Sequence, residues 1–341
     1  MKRTLWVDSC RFFAIFVIMF THFLAEFFPE ALRFWEEGAS SWLLYGLTGK
    51  FSVAFFFVLL GYFASRRWTF SPGAFLRYGL RRYLHFAFFV LVCTVIYIVA
   101  CYGCTWLFHS PGEAALRVIS DGWGLNLGYL MRDALLFENN YNDTLWCLQQ
   151  LFIASLVCRA LGCLPRRMGL AAAVFVMAVL MVMDAEYCVW ICAALLGYLL
   201  RLVMERGVKP GASGIAAAVI TALVLMKIRM PECVLQYAMQ ALAAGLLIFA
   251  QFQLPAVQRL LETKPFPWLG GISMGLFVVH TPINSVLACC FFPLLGGKIP
   301  GLLLWLTGFA LSTGLSIFCA WLLHRMYGSV EKRVLRVPVK L

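Results

Sequence analysis

The first apolar segment of the chain carries two polar side chains whose types and spacing suit acid–base chemistry. Arg11 and His22 are eleven residues apart. At about 100° per residue, an α-helix turns both to nearly the same face, about 16 Å apart along its axis. Histidine is the usual general base near neutral pH, and arginine binds phosphate groups through paired hydrogen bonds. The segment therefore predicts a base and an anion-binding group on one helix face.

Two carboxylates extend this face, since Asp8 lies one turn before Arg11 and Glu26 lies one turn after His22. Charged groups inside a bilayer cost about 2.5–3.5 kcal/mol, so they face a partner or a cavity. Two interpretations are open. In the first, Asp8 and Arg11 form an ion pair near the inner membrane surface and His22 bonds to a neighbouring helix. In the second, the four groups line a polar path through a bundle, with Glu26 either orienting His22 or solvated.

The composition excludes a water-soluble protein. Of the 341 residues, 62% are hydrophobic and 13% are charged, and the mean hydropathy is +0.85. Soluble domains contain about a quarter charged residues, so this chain is predicted to be an all-α integral membrane protein. The net charge of +12 does not indicate nucleic-acid binding, because the basic residues lie in short clusters between apolar segments.

Ten segments are long and apolar enough to predict transmembrane helices, which need about 20 residues each. No repeat or appended soluble domain is visible, so a single domain is expected over residues 1–341. The connector from Phe108 to Thr144 is predicted to be a structured cap or a partly re-entrant segment, and its part Glu138–Asp143 is a candidate docking place for an acceptor. The predicted helices lie near residues 5–27, 44–64, 84–108, 145–163, 169–184, 186–204, 212–227, 233–252, 268–290 and 301–325.

The distribution of basic residues predicts the orientation of this bundle, because cytoplasmic loops carry an excess of lysine and arginine. With ten helices, 20 of the 28 lysine and arginine residues fall on one side, 7 fall on the other, and Arg11 lies within the first helix. Both termini are therefore predicted to be cytoplasmic, and the first helix runs outward.

Further candidate residues begin the third and fourth helices. Arg77, Arg81 and Arg82 precede the third helix on the predicted cytoplasmic side. They either bind donor phosphates or form an ordinary cluster of positive charge. Trp146 begins the fourth helix, where its indole N–H serves an oxyanion or its ring anchors the helix at the membrane surface.

The ninth predicted helix carries a second set of polar residues. Ser273 and His280 are two turns apart on nearly the same face, and they either line a cavity or join neighbouring helices. Pro282 has no backbone N–H, so it leaves the carbonyl of Val278 without its usual helical partner. The sequence therefore predicts a kink with a free acceptor beside His280.

Thirteen cysteines are present, mostly in apolar segments, where a thiol packs as a small hydrophobic group. Cys101 and Cys104 form a C-x-x-C motif, but no second pair or histidine follows at metal-ligand spacing. A helix end is therefore favoured over a metal or redox site, and no bound metal is expected.

Four stretches, in order, resemble motifs of the membrane-bound acyltransferase 3 family. The stretch "VDSCRFFAIFVIMFTHF" (Val7–Phe23) carries an arginine, ten residues and a histidine, as the first helix of that family does. The stretch "VAFFFVLLGYF" (Val53–Phe63) is similar to its second-helix motif. The stretches "LWCLQQL" (Leu145–Leu151) and "LGGISMGLFVVHTPI" (Leu269–Ile283) are similar to a tryptophan-containing helix start and a late-helix motif.

The resemblance implies an enzyme that moves an acyl group, such as acetyl, from cytoplasmic acyl-CoA to a hydroxyl group, often on a cell-surface carbohydrate. It implies that His22 and Arg11 are the catalytic pair and that basic residues before the third helix hold the donor. Acyl-CoA is then a co-substrate, and no cofactor is bound. The implied partners are acyl-CoA, the hydroxyl acceptor and the lipid bilayer of the cell membrane, crossed several times, without nucleic acid.

Three positions depart from the family's pattern. Leu60 replaces a serine before Gly61, while Gly79 and His85 replace the first arginine and the proline of an arginine motif. One interpretation of these departures is that donor binding or activity differs from that of the family. A small-solute transporter and a non-catalytic membrane partner are the alternatives, although the internal repeats of many transporters are not visible.

Overall fold

The structure is a computed structural model that describes residues 4–28, 49–65, 67–108, 127–137, 145–183, 186–228 and 234–334. The described residues are helical with short connections. In chain order the helices are α1 (Leu5–Phe27), α2 (Gly49–Ala64), α3 (Pro72–Phe108), α4 (Leu127–Ala134), α5 (Trp146–Leu161), α6 (Arg166–Val182), α7 (Glu186–Glu205), α8 (Ala212–Lys227), α9 (Val234–Gln253), α10 (Pro255–Leu261), α11 (Phe266–Gly271), α12 (Ser273–Leu295) and α13 (Gly301–Val334).

The helical fold class is confirmed, and each of the ten predicted segments overlaps helix within the residues that the structure describes. Among the described residues, six helices are long and apolar enough to cross a membrane, namely α1, α3, α7, α9, α12 and α13. The apolar helices α2, α5 and α8 are shorter. Ten crossings and cytoplasmic termini therefore stay predictions.

Three predicted boundaries differ from the structure. Helix α3 begins earlier, because Pro72 is well placed at a first helical position and nothing interrupts the helix after it. The ninth predicted helix is broken at Ile272 into α11 and α12, after two consecutive glycines that favour helix poorly. The last helix continues beyond its apolar part to Val334.

The connector from Phe108 to Thr144 is described only in part. It contains the short helix α4, and the choice between a structured cap and a partly re-entrant segment stays a prediction. The candidate docking stretch Glu138–Asp143 lies outside the described residues.

The chain divides into two compact units, and the division falls within α3. Unit 1 comprises residues 1–32, 83–146 and 264–341, and unit 2 comprises residues 33–82 and 147–263. Unit 1 contains the candidate catalytic helices α1 and α12. Unit 2 contains α2, the helices α6 to α10, and α5 apart from its first residue, Trp146.

In unit 2, α2 and α7 cross at a distance that only glycine allows. A Cβ atom on Gly61 would overlap the carbonyl oxygen of Ala194, and one on Gly197 would overlap that of Val58. Small residues let transmembrane helices approach this closely. The glycine of the second-helix motif therefore has a packing role.

In unit 1, aromatic rings fix α1 against α13. The rings of Phe16, Phe20 and Phe23 lie 5.7, 5.4 and 5.3 Å from the ring of Phe309, measured between centroids. Edge-on contacts of this kind stabilise aromatic pairs beyond their buried area. This packing sets the rotation of α1 and leaves another face of the helix for α12.

Candidate active site

The candidate catalytic histidine of α1 contacts a histidine of α12. The Nδ1 atom of His22 lies 2.8 Å from the Nε2 atom of His280. The ring centroids are 5.0 Å apart, and the ring planes make an angle of 28°. His280 is fully buried and His22 is half-buried. Two residues that are 258 positions apart in the chain therefore form one pair.

The hydrogen bonds around His280 assign the protons of this pair. Its Nδ1 atom lies 3.2 Å from the carbonyl oxygen of Leu276. A carbonyl only accepts, so Nδ1 of His280 carries the proton, and Nε2 of the neutral ring has a lone pair. That lone pair accepts the proton on Nδ1 of His22. The remaining nitrogen of His22, Nε2, then has the lone pair that a general base requires.

The carbonyl predicted to be freed by Pro282 has a partner on another helix. The thiol of Cys93 on α3 donates to the oxygen of Val278 at 2.7 Å. The predicted acceptor is thus present, and it is satisfied inside the protein rather than left open. Since buried backbone groups must be satisfied internally in lipid, this bond helps α12 to carry a proline beside His280.

Two further polar contacts fix α12 in unit 1. Ser312 on α13 donates to the side-chain oxygen of Asn284 at 2.6 Å. The hydroxyls of Tyr97 on α3 and Ser285 are 3.2 Å apart. Together with the histidine contact, these bonds join α12 to three neighbouring helices and limit its rotation.

The predicted ion pair is present at the start of α1. The Nη1 atom of Arg11 lies 3.0 Å from Oδ1 of Asp8, whose side chain is buried. Both contacts of the first sequence interpretation are therefore observed, since His22 also bonds to a neighbouring helix. The ion pair also agrees with a catalytic role for Arg11, because the bond to Asp8 fixes the orientation of the guanidinium group.

A glycine brings this ion pair close to α11. A Cβ atom on Gly270 would overlap the backbone carbonyl of Asp8, so the two chains touch without a side chain between them. Gly270 belongs to the late-helix motif, whose helix α12 also carries His280. One short stretch of sequence thus fixes the backbone at Asp8 and supplies the partner of His22.

The other predicted residues on helices of unit 1 take less central positions. Ser273 is the first residue of α12 and is half-buried, and at 1.5 Å per residue it lies about 10 Å along the axis from His280. Glu26 is exposed one turn after His22, and Trp146 is half-buried at the start of α5.

The predicted donor-binding arginines lie on the first turns of α3 rather than in a connector. Arg77 is exposed, and Arg81 and Arg82 are half-buried. Arg77 and Arg81 are four residues apart and share a helix face. At Gly79, a Cβ atom would meet only a methyl of Leu156 at 3.4 Å, so little prevents a larger residue there.

Unit 2 holds a basic cluster that sequence reasoning counted only as positive charge. The carboxylate of Glu205 lies 2.8 Å from Arg201, 3.2 Å from Arg166 and 3.8 Å from Arg67. Three guanidinium groups around one carboxylate leave an excess of positive charge. No sequence motif distinguishes this cluster, because its members come from three separate stretches.

The direct contact between the two histidines is the main feature that sequence reasoning missed. The sequence does contain an indication that this face has partners. His280 and Asn284 are four residues apart, and so are Thr281 and Ser285, so these polar residues form a band on one side of the helix. A polar band in an apolar helix indicates partners on neighbouring helices. The sequence does not say which helices those are.

The fold and the site define a helical membrane protein in which an intramembrane histidine pair joins two helices. The family model of an acyltransferase domain matches residues 4–325. The chain therefore belongs to the acyltransferase 3 family of membrane acyltransferases, as its motifs predict. No curated protein and no solved structure matches the chain.

Proposed function

We propose that this membrane acyltransferase transfers an acetyl or similar acyl group from cytoplasmic acyl-CoA to a hydroxyl group of a cell-surface carbohydrate or similar acceptor. The observation that carries the proposal is the oriented pair of His22 and His280 in a member of an acyltransferase family. The proposed location is the cell membrane, and acyl-CoA acts as a co-substrate.

In the proposed reaction, His22 is the general base. Its Nε2 atom takes the proton of the acceptor hydroxyl while the oxygen attacks the carbonyl carbon of the thioester. The carbon–sulfur bond then breaks, and the leaving thiolate takes the proton back from His22. General base catalysis of this kind contributes about 10²–10⁴-fold to the rate. His280 is a positioning residue that keeps the proton of neutral His22 on Nδ1.

Arg11 assists the donor in this proposal. Its contact with Asp8 fixes one edge of the guanidinium, whose planar array of donors suits the polar groups of acyl-CoA. Arg77, Arg81 and Arg82 are proposed to bind donor phosphates through charge-assisted hydrogen bonds. Trp146 is the candidate donor to the oxyanion. Glu26 and Ser273 are proposed to support the site as polar groups on the helices of His22 and His280.

The function is tested with purified protein in lipid nanodiscs and acetyl-CoA labelled in the acetyl group. We expect thioester cleavage that depends on an added hydroxyl acceptor, with the label recovered on that acceptor. A small set of acyl donors, from acetyl to succinyl, then identifies the acyl group.

The same preparation distinguishes the alternative functions. Solute flux into liposomes without donor turnover would support a transporter. Binding of acyl-CoA with neither cleavage nor flux would support a non-catalytic membrane partner. Either result would overturn the proposed enzyme.

Replacing His280 separates positioning from packing. His280→Leu removes the acceptor for His22, and leaving this donor unsatisfied costs about 1–3 kcal/mol, which corresponds to about 5–150-fold in kcat. His280→Gln keeps a side-chain oxygen that accepts the same proton, so we expect kcat to recover most of this loss. The KM for acyl-CoA should stay unchanged in both variants. Steady-state kinetics at fixed acceptor concentration measures kcat and the KM for acyl-CoA separately.

The control for these variants is the elution profile in size-exclusion chromatography. A similar profile with unequal kcat values supports the positioning role of His280. An equal loss in both variants, or no loss in either, would refute it.

Replacing Arg11 tests donor binding. Hydrogen bonds to charged groups contribute about 1.5–3 kcal/mol, so Arg11→Gln is expected to raise the KM for acyl-CoA about 10–100-fold. Arg325→Gln is the matched control, because it removes one exposed arginine from the predicted cytoplasmic side. A similar rise in both variants would assign the effect to general surface charge.

A further inference from the structure

The basic group of unit 2 consists of Arg67, Arg166 and Arg201 around Glu205, and is named the arginine cluster below. Arg201 donates to Oε1 of Glu205 at 2.8 Å, and Arg166 donates to Oε2 at 3.2 Å. The guanidinium of Arg67 lies 3.8 Å from Oε2, which is too long for a hydrogen bond. The carboxylate therefore holds three like charges together, and the cluster keeps an excess of positive charge.

The cluster has hydrogen-bond donors that Glu205 does not use. Each guanidinium group carries several N–H donors in a planar array, and Glu205 accepts one from Arg166 and one from Arg201. The Nε atom of Arg166 is buried and has no hydrogen-bond partner among the described residues. Buried polar groups in native proteins are satisfied by protein, water or a bound ion. The arrangement therefore fits a ligand that accepts hydrogen bonds.

The arginines line a pocket that opens to the protein surface together with the hydroxyl-bearing residues Ser65 and Tyr198. The side chain of Arg67 is 57% exposed and that of Arg166 is 40% exposed, so an incoming group can reach both. Arg166 is also the first residue of α6, whose N-cap residue Pro165 gives the first turn no side-chain hydrogen bond. The first N–H groups of a helix favour anions. Backbone donors thus lie beside the guanidinium groups.

A phosphate group matches these donors. Arginine binds phosphate through parallel, charge-assisted hydrogen bonds, and a helix N-terminus binds phosphate through its backbone N–H groups. Phosphate offers several oxygen atoms at once, so one group can contact Arg67 and Arg166 together. We therefore consider which phosphate compound suits the surroundings of the cluster.

The surroundings of the cluster are apolar. The pocket is also lined by leucine side chains, which are Leu161, Leu164 and Leu202. All residues of α6 are described, and only Gly169 and Ala173 of them are buried. The exposed side chains of α6 include Phe175 and Val182, which are 69% and 85% exposed. A free phosphate ion gains nothing from such a surface, whereas the acyl chains of a phospholipid would cover it.

The position of the cluster along the helices also suits a lipid. The helices α2 and α7 end beside the cluster and α6 begins there. In the bundle predicted from the basic residues, these helix ends lie on the cytoplasmic side of the membrane. The cytoplasmic leaflet carries anionic lipids, and basic pockets between transmembrane helices on that side bind their headgroups. The cluster therefore lies at the level of headgroup phosphates.

We propose that the arginine cluster binds the headgroup phosphate of an anionic phospholipid of the cytoplasmic leaflet, with the acyl chains along α6. Arg67 and Arg166 donate to the phosphate oxygens, and Glu205 positions the guanidinium groups. The bound phosphate neutralises the excess charge and joins the ends of α2, α6 and α7. This lipid site goes beyond the proposed function, because it does not depend on acyl transfer.

Native mass spectrometry of the detergent-purified full chain tests the proposal. The protein is titrated with palmitoyl-oleoyl phosphatidylglycerol or with the phosphatidylcholine of the same acyl chains, whose choline group neutralises the phosphate charge. We expect one phosphatidylglycerol molecule to bind more tightly than phosphatidylcholine. Arg67→Gln should weaken this binding about 10–100-fold, the usual effect of losing a hydrogen bond to a charged group. The guanidinium of Arg67 is exposed and makes no hydrogen bond to Glu205, so the variant should fold.

The matched control is Arg206→Gln, which removes an exposed arginine just after α7 and outside the cluster. It should bind phosphatidylglycerol nearly as the native protein does. Equal weakening in Arg206→Gln and Arg67→Gln, or no weakening in Arg67→Gln, would overturn the proposal. The native protein alone provides a further test, since equal affinities for phosphatidylglycerol and phosphatidylcholine would also overturn it.

Two further probes distinguish the lipid from a soluble phosphate compound. Inorganic phosphate and coenzyme A are each added to the native protein and to Arg67→Gln in the presence of phosphatidylglycerol. We expect the bound lipid to remain on the native protein. If either probe displaces the lipid and itself binds more weakly to Arg67→Gln, the cluster is a site for a soluble phosphate compound and the lipid proposal is wrong.

Discussion

His22→Gln is expected to lower the rate of acyl transfer by about 10²–10⁴-fold, the usual contribution of a general base. Glutamine keeps N–H groups for hydrogen bonding to α12, at the position of Nε2 of histidine. It has no basic nitrogen, however, and cannot take the proton of the acceptor hydroxyl. The KM for acyl-CoA should change little, because the base acts on the acceptor. Initial rates with labelled acetyl-CoA measure the effect.

Phe13→Leu is the control for this variant, since it changes a partly exposed apolar side chain of the same helix. It should retain most of the activity. If His22→Gln and Phe13→Leu lose activity equally, the effect belongs to α1 as a packing element. If His22→Gln is fully active, the proposed base is wrong.

Gly270→Val is expected to prevent normal folding of unit 1. The added side chain would overlap the backbone of Asp8, and a backbone cannot turn away as a flexible side chain does. Overpacking a well-filled site typically costs about 1–3 kcal/mol and sometimes more. The effect should therefore appear as a low yield of monodisperse protein and a lower midpoint of thermal unfolding, before any activity is measured.

Gly314→Val provides the comparison, because no atom lies within 4 Å of a Cβ atom at this exposed position of α13. Its unfolding midpoint should stay close to that of the native protein. Equal midpoints for the two variants would show that α11 does not press against Asp8 as described.

The sequence predicted the helices well because each depends on its own residues. A run of about 20 apolar residues has few other stable forms in a membrane. Local rules also predicted the free carbonyl of Val278 from Pro282. The early start of α3 was missed because hydropathy does not show how far a helix extends beyond its apolar part. The break at Ile272 was missed because hydropathy does not show where an apolar segment is interrupted.

The partners of the site residues could not be predicted in this way. Helical spacing placed His22 on a polar face of α1 but did not identify the helix opposite that face. His280 was accordingly predicted as a second polar lining rather than as the direct partner of His22. The contact of the Cys93 thiol with α12 was missed for the same reason, since such contacts depend on which helices are neighbours.

The contact of the two imidazole rings has a consequence for the surrounding lipid. Helices α1 and α12 each contain 23 residues, which gives each a length of about 34 Å, slightly more than the hydrocarbon thickness of about 30 Å. Helices of this length respond to a thinner or thicker bilayer by tilting. Unequal tilts would separate nitrogen atoms that are now 2.8 Å apart. Bilayer thickness would then act on catalysis through the hydrogen bond between His22 and His280.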